Sequence, residues 1–448
     1  MREIGGGAFV LATALKAIVF FTLLMVCVAL ATYVERRLAA FVQDRSGPNR
    51  VGPIGLLQPV ADGLKNLLKE ETWPAAANHA FFLLAPALAM IPATVLFAVI
   101  PFGSPLPTRW GFVPMIVADV PIGVLYILAI ASLGVYGVVM AGWSSGSKYS
   151  FLGGLRGSAQ MISYEVGLSL SLVPIILLAG DVRVPAMVTL QQHYPGDSTT
   201  LGTWLLLPLL LGAFFVVVTS LAETNRLPFD LPEAEGELVG GYHTEYSSMK
   251  FAAFFLGEYA HLLTTAALIT VFFLGGWDIP FWQGDNIRVL SDGTLAGDPS
   301  WWKTLLTLVA FSVKASLVLG LFMWIRWTLP RFRYDQLMDL GWKFILEFVT
   351  IYILVIALAV YTLDRSGVEY GWTYAGVLTG VNVVLAGLLF IGFDRGRLLR
   401  GAGQRAEREA RRGHMEARRR VREAALAVVS GRGAAPEETG EVAPEGGR

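Results

Sequence analysis

Apolar residues run along this chain in blocks of about 20, the length at which a helix crosses a ~30 Å hydrocarbon layer. The blocks predict nine membrane spans: 14–33, 80–101, 115–139, 160–178, 205–221, 251–274, 305–327, 344–363 and 373–393. The strict apolar–polar alternation of an outer-membrane barrel is absent. The pattern therefore predicts an all-α integral membrane protein. Residues 56–70 depart from it. Leu57, Val60, Ala61, Leu64 and Leu68 fall on one helical face, and Asp62, Lys65, Asn66 and Lys69 on the other. Such an amphipathic helix lies on a membrane surface, on a neighbouring subunit or on the chain's own loops. After Phe393 the hydrophobicity stops. Residues 395–422 read as a basic helix at an anionic surface, and the Gly/Pro/Glu-rich end, 431–448, as disordered. The expected division is a membrane domain, 1–363, an additional transmembrane helix, 364–394, and a basic then acidic cytoplasmic tail, 395–448.

Composition narrows the class. The 448 residues are 54% hydrophobic and 16% charged, too apolar for a soluble protein. The single cysteine, Cys27, excludes a disulfide framework, a thiolate metal site and an iron–sulfur cluster, which needs about four cysteines. No glycine-rich phosphate loop follows a strand pattern, so the chain offers no place for NAD or flavin. Lys and Arg alternate between loops. Arg36, Arg37, Arg45, Arg50, Lys65 and Lys69 follow the first span, Lys148 and Arg156 the third, Arg226 and Lys250 the fifth, and Arg331, Arg333 and Lys343 the seventh. The positive-inside bias puts these loops in the cytoplasm, the N-terminus outside and the C-terminus inside. The first span has no basic leader and reads as a retained helix.

The charges that most need a reason lie in 223–261, between two apolar spans. This stretch carries Glu223, Asp230, Glu233, Glu235, Glu237, Glu245 and Glu258. A solvated acidic loop with a capped helix is one reading: Asp230 and Glu233 have capping-box spacing, with Pro232 in the first turn. A proton relay is the other. Glu233 and Glu237 are four apart and share a face if the segment is helical. Like-charged, partly buried carboxylates raise one another's pKa toward neutrality. Glu165 and Glu258 fall inside spans, where a carboxylate reads as functional. Asp119 and Lys314 need partners or water, Asp119 reading as structural and Lys314 remaining open. Glu258 and His261 have the i, i+3 spacing of a di-iron motif, but that design needs two such motifs, so no metal site is expected.

Four blocks together carry a family resemblance: ERRLAAFVQDRSGPNRVGPIGLLQPVADGLKNLLKE (35–70), GWSSGSKYSFLGGLRGSAQMISYEVG (142–167), the acidic stretch, and IRWTLPRFRYDQLMDLGWK (325–343). All lie on the predicted cytoplasmic side. From about residue 14 to 361 the chain resembles the H subunit of NADH–quinone oxidoreductase, respiratory complex I. The resemblance implies an eight-span core in a bacterial cell membrane, a quinone chamber, and a chain of acids leading toward the pumping subunits. Carried over by motif, the proton path comprises Glu165, Glu223, Glu233, Glu235, Glu237 and Glu258. The quinone-binding set comprises Glu35, Arg36, Arg45, Asp62, Lys65 and Glu245. Quinone is then the substrate, while NADH, FMN and iron–sulfur clusters belong to partner subunits. The implied partners are hydrophilic quinone-site and cluster-bearing subunits, small membrane subunits, antiporter-like subunits and membrane lipids, with no nucleic acid. Two features depart from the family: Glu347 stands where a proline is common, and the ninth span and tail extend the core. Two other readings stay open, the equivalent anchor of an ion-translocating hydrogenase and a stand-alone secondary transporter. The transporter would show paired internal repeats, and the sequence shows no clear one.

Overall fold

The computed structural model describes residues 6–108, 111–192, 201–280, 282, 284, 285, 288, 289, 295–297, 300–394 and 415. The chain divides into two compact units, residues 1–386 and 387–448. All packing below lies within the first. Of the second, residues 387–394 and Met415 are described, and all are helical. Expectations for the tail beyond residue 394 otherwise lie outside the described residues.

Long helices dominate. They are α1 (Gly6–Val42), α2 (Gln58–Leu68), α3 (His79–Val95), α4 (Gly123–Ser144), α5 (Lys148–Ala179), α6 (Val184–Gln191), α7 (Leu210–Glu223), α8 (Glu235–Leu238), α9 (Ser248–Phe273), α10 (Trp301–Thr328), α11 (Tyr334–Asp339), α12 (Leu346–Arg365) and α13 (Trp372–Asp394). Helix α11 runs into α12 through a π-turn, Leu340–Ile345. Among the described residues the strands form two short antiparallel hairpins, including Gly103–Thr108 with Gly111–Met115. The protein is thus an all-α integral membrane protein, with eight helices among the described residues long and apolar enough to span.

The expected fifth span, 205–221, holds a shorter helix than its apolar run suggests. Its helix is α7, 14 residues long, or about 21 Å at 1.5 Å per residue. Pro208 has no N–H to continue a helix backward, and residues 205–209 form turns. Their polar backbone is satisfied from elsewhere: Gln191 Oε1 accepts from Leu205 N (3.0 Å), and Phe273 O accepts from Leu206 N (3.0 Å). The helix of the third expected span, α4, begins at Gly123 rather than 115, because the strand ending at Met115 and Pro121 occupy the approach. Lys314, open from sequence, is buried and caps α9. Its Nζ donates to the carbonyls of Leu274 (2.6 Å) and Gly276 (3.1 Å), the favourable place for a cation at a helix C-terminus.

Helices α3, α4, α5, α7 and α9 pack around the segment that follows α7. Buried Gln160 on α5 holds that segment's backbone, donating from Nε2 to Ala222 O and Phe229 O, both at 2.7 Å. Further along, the loop presses directly on α5. A Cβ on Gly153 would meet Tyr242 N at 2.7 Å, and one on Gly241 would meet Pro232 O at 1.7 Å. Glycine is required at both contacts because only a missing Cβ lets the backbones approach. Helix α2 forms as expected. Its apolar residues Val60, Leu64, Leu67 and Leu68 are exposed, and its Asn66 carbonyl accepts from Ser248 Oγ (2.9 Å).

Candidate functional site

The site is built on one arginine. Arg226 follows α7, is buried, and donates from Nη1 to both carboxylate oxygens of Glu35, each at 3.0 Å. Its Nε lies 2.6 Å from Glu258 Oε1 on α9, and its guanidinium stacks 4.4 Å above the Tyr259 ring. Arg326, at the end of α10, also donates to Glu35. The cluster joins α1, the acidic loop, α9 and α10, with two cations facing two carboxylates. Burial disfavours the Arg226 charge, but Glu258 and Glu35 outweigh it and raise its pKa, so the guanidinium stays charged.

Beside this cluster lies a second pair. Arg331 donates to Asp230 at 2.7 Å. Burial nonetheless pushes the Asp230 carboxyl above its usual range. This contact explains why the expected capping box does not form. Asp230 points to Arg331, Ala234 takes a left-handed conformation (φ 31°), and α8 starts at Glu235 with no side-chain cap. Glu233 and Glu237 therefore do not share a helix face. Glu233 turns inward and Glu237 outward, where it pairs with Arg156 at 2.8 Å. The side chain of Glu235 lies outside the described residues.

Glu233 has the electrostatics of a group that exchanges protons near neutrality. Burial, then the charges of Glu258 and Asp230, raise its pKa to about 8. Its neighbour His243 approaches with Nδ1 at 3.9 Å, but burial lowers the imidazole to about 4. At pH 7 His243 is neutral and does not hold Glu233 ionised.

Glu223, Glu233, Glu258 and His261 line one cavity of about 60 Å³ with Thr224, Asn225 and Tyr242. A second cavity, of about 30 Å³, continues from Glu223 and His261 past Ser220, Thr264 and Thr265. At ~10–15 Å³ of such volume per water, the first has room for a few water molecules, while the second is walled mainly by apolar side chains such as Ile127, Leu172 and Phe272. His261 Nε2 is 3.5 Å from Glu223 Oε1 and has no hydrogen-bond partner among the described residues. Glu165 on α5 is half-buried and within electrostatic reach of Glu223. The cavities thus bring together Glu223, Glu233 and Glu258 of the expected proton path, with Glu165 adjacent.

The expected quinone-binding residues fall into two groups. Glu35 belongs to the buried cluster. Arg36, the next residue of α1, faces away and pairs with Asp62 on α2. Arg45 is exposed and donates to Gln43 (2.7 Å), Lys65 is exposed, and Glu245 is half-buried in the turn before α9. Sequence reasoning uses Arg226 and Arg331 only for orientation and omits Arg326, because none is near its acid in sequence. It weighs His261 only as part of a metal motif, although its position one turn after Glu258 places it on the same face. Among the described residues no group of three or more His, Cys, Asp and Glu could hold a metal ion.

The fold and the site define a polytopic helical membrane protein with a buried, arginine-held acid cluster beside a small cavity lined by acids. Comparison with known proteins gives the family. The NADH dehydrogenase family model matches residues 15–357. An H subunit of NADH-quinone oxidoreductase from Cytophaga hutchinsonii is 45% identical over 335 residues, 75% of this chain and 92% of the relative. An H subunit of the same enzyme from Geobacter metallireducens is 46% identical over 339 residues, 76% of this chain and 93% of that relative. The H subunit from Paramagnetospirillum magneticum is 45% identical over 349 residues, 78% of this chain and 90% of that relative. The chain belongs to the family of NADH-quinone oxidoreductase H subunits, membrane components of a multi-subunit oxidoreductase. Helix α13 lies beyond the matched region.

Proposed function

We propose that this chain couples quinone reduction to proton translocation in a bacterial NADH–quinone oxidoreductase, with its N-terminus outside and its C-terminus in the cytoplasm. Glu35, Arg36, Arg45, Asp62, Lys65 and Glu245 contribute to a quinone chamber. Glu165, Glu223, Glu233, Glu235, Glu237 and Glu258 form the acidic path, with His261 added to it. NADH, FMN and iron–sulfur clusters reside in partner subunits. The hydrophilic quinone-site and cluster-bearing subunits dock on this chain, small membrane subunits and antiporter-like subunits continue the path, and lipid surrounds it. The exposed apolar face of α2 supports a neighbour on that side, because a bare patch of this kind marks an interaction surface.

The observation that carries the reading is the double engagement of Arg226. One guanidinium neutralises Glu35, a member of the proposed chamber set, and Glu258, which lines the first cavity. Quinone reduction adds negative charge before protons arrive. That charge draws Arg226 toward Glu35 and leaves Glu258 short of its counter-charge. Glu258 then accepts a proton from Glu233, whose pKa of about 8 keeps it protonated at pH 7. Water in the first cavity, with His261, relays the vacancy to Glu223 and onward to Glu165. Only a redistribution of charge is required, which is how one site shifts the protonation of another.

The relatives' names carry NADH and quinone, which favours this reading over a hydrogenase anchor. A photoreactive quinone analogue tests it in the assembled complex. Labelling of segment 35–65, displaced by quinone, is the expected result. Labelling confined to other subunits would remove the chamber from this chain.

A further inference from the structure

Helix α13 lies beyond the family match, yet one residue ties it firmly to the core. Asn382 is fully buried. Its Nδ2 donates to Pro208 O (2.6 Å) and Leu378 O (3.0 Å), and its Oδ1 accepts from Leu211 N (3.2 Å) and Tyr352 Oη (3.0 Å). Two donors and two acceptor positions are all that an amide offers, and all four are used. Leu211 N is one of the orphan donors of the first turn of α7. Asn382 therefore completes the helix start that shortened the expected fifth span.

On the same stripe of α13, closer to its N-terminus, contact gives way to space. Trp372, Ala375, Gly376 and Thr379 follow the i, i+3, i+4, i+7 spacing of one helical face. They wall a cavity of about 800 Å³ whose other side comprises residues 202–208 and 278–280 with Trp282. A Cβ on Gly376 would meet nothing within 4 Å. Helices α9 and α12 both start at the acidic face, and the cavity lies where α9 ends and α13 begins, at the opposite ends of the spans. Three tryptophans line it, Trp204, Trp282 and Trp372, the residue type enriched at the membrane–water boundary.

The lining has few polar groups, and most are in use. Trp204 Nε1 donates to Asp278 (3.1 Å). Gln191 donates to Met187 O and Val271 O and accepts from Leu205 N and Gly275 N. Thr379 Oγ1 donates to Ala375 O. Thr203 Oγ1 has no partner among the described residues. We infer that this cavity binds a membrane phospholipid, its acyl chain lying between α13 and the 202–208 segment. A hydrocarbon chain needs shape and an apolar wall, and both are present. A quinone ring carries two carbonyls to satisfy, and the unpartnered hydroxyl of the lining, Thr203 Oγ1, is itself buried and has no surface open to the cavity.

The test uses the intact complex, purified in mild detergent and washed extensively. Phospholipid and quinone are extracted and quantified by mass spectrometry per complex. Gly376→Phe fills the cavity from α13 and Leu206→Trp from the other wall. Both are expected to lose a phospholipid that the wild type retains, with the rate of NADH oxidation by a soluble acceptor unchanged. Thr379→Leu narrows the cavity with a smaller side chain and is expected to weaken retention, so the inference stays testable if a filled variant fails to assemble. Unchanged phospholipid in the assembled variants, or loss of an isoprenoid quinone instead, would overturn it.

Discussion

Arg226 Nε lies 2.6 Å from Glu258 Oε1, and both carboxylate oxygens of Glu35 accept from the same guanidinium. Removing one partner of a buried ion pair strands the other, at a cost of about 3–5 kcal/mol. Arg226→Gln is therefore expected to lower the yield and thermal stability of the assembled complex by an amount in that range. Adding Glu258→Gln removes one stranded charge and recovers part of the loss. A single variant as stable as the wild type would show that Arg226 does not neutralise the pair.

Glu233 predicts a pH dependence with a definite sign. Its carboxyl titrates at about 8 in the folded chain against 4.5 as the ordinary value. Between those values the folded state holds a proton that the unfolded state has released, so stability falls as pH rises through the window. Below about 4.5 the contribution is fully present. Glu233→Gln removes the titration. Melting temperatures measured across this window should decline less steeply with pH in the variant than in the wild type.

His261 faces both cavities and Glu223, with no hydrogen bond to Nε2 among the described residues. A positioned proton carrier contributes about 10²-fold or more to the step it serves. His261→Phe is expected to slow NADH–quinone turnover by a factor up to that size while the soluble-acceptor rate holds. A deuterium solvent isotope effect that rises in the variant would separate slowed proton transfer from altered packing.

Glu237 is expected to matter less. It is exposed and paired with Arg156, and surface pairs contribute about 0–1 kcal/mol. Glu237→Gln should leave stability almost unchanged and reduce quinone-linked turnover less than Glu233→Gln. Equal losses in the two would place both acids on the path with equal weight.

Asn382→Leu tests the tie between α13 and the core. It leaves Leu211 N and Pro208 O unsatisfied, and each buried orphan costs about 1–3 kcal/mol. Limited proteolysis of the complex should then cut around 366–371 in the variant, before the wild type is cut there.

Hydrophobic runs made the membrane architecture legible, because a helix in lipid needs an apolar surface along its whole length. The helix at 205–221 is shorter than its apolar run because length and hydropathy do not report that Pro208 breaks the backbone ladder and that Asn382, more than 170 residues away in sequence, repairs it. The acidic stretch was recognisable as a site from its charge density between two spans. Its internal geometry was not. Capping spacing at Asp230 and Glu233 is a local signal, and the Arg331 contact overrode it. The neutralising cations Arg226, Arg326 and Arg331 come from other segments, and only folding shows which acid each one meets. The motif blocks contained all three, so their presence was legible and their pairing was not.

The central claim is that buried acids here link quinone reduction to proton movement. Membranes carrying Glu233→Gln, assayed for NADH oxidation with a quinone and with a soluble acceptor served by the hydrophilic arm, test it most directly. Loss of the quinone-linked rate and of proton translocation, with the soluble-acceptor rate intact, is the predicted result. Wild-type rates with both acceptors and wild-type proton translocation would contradict the account.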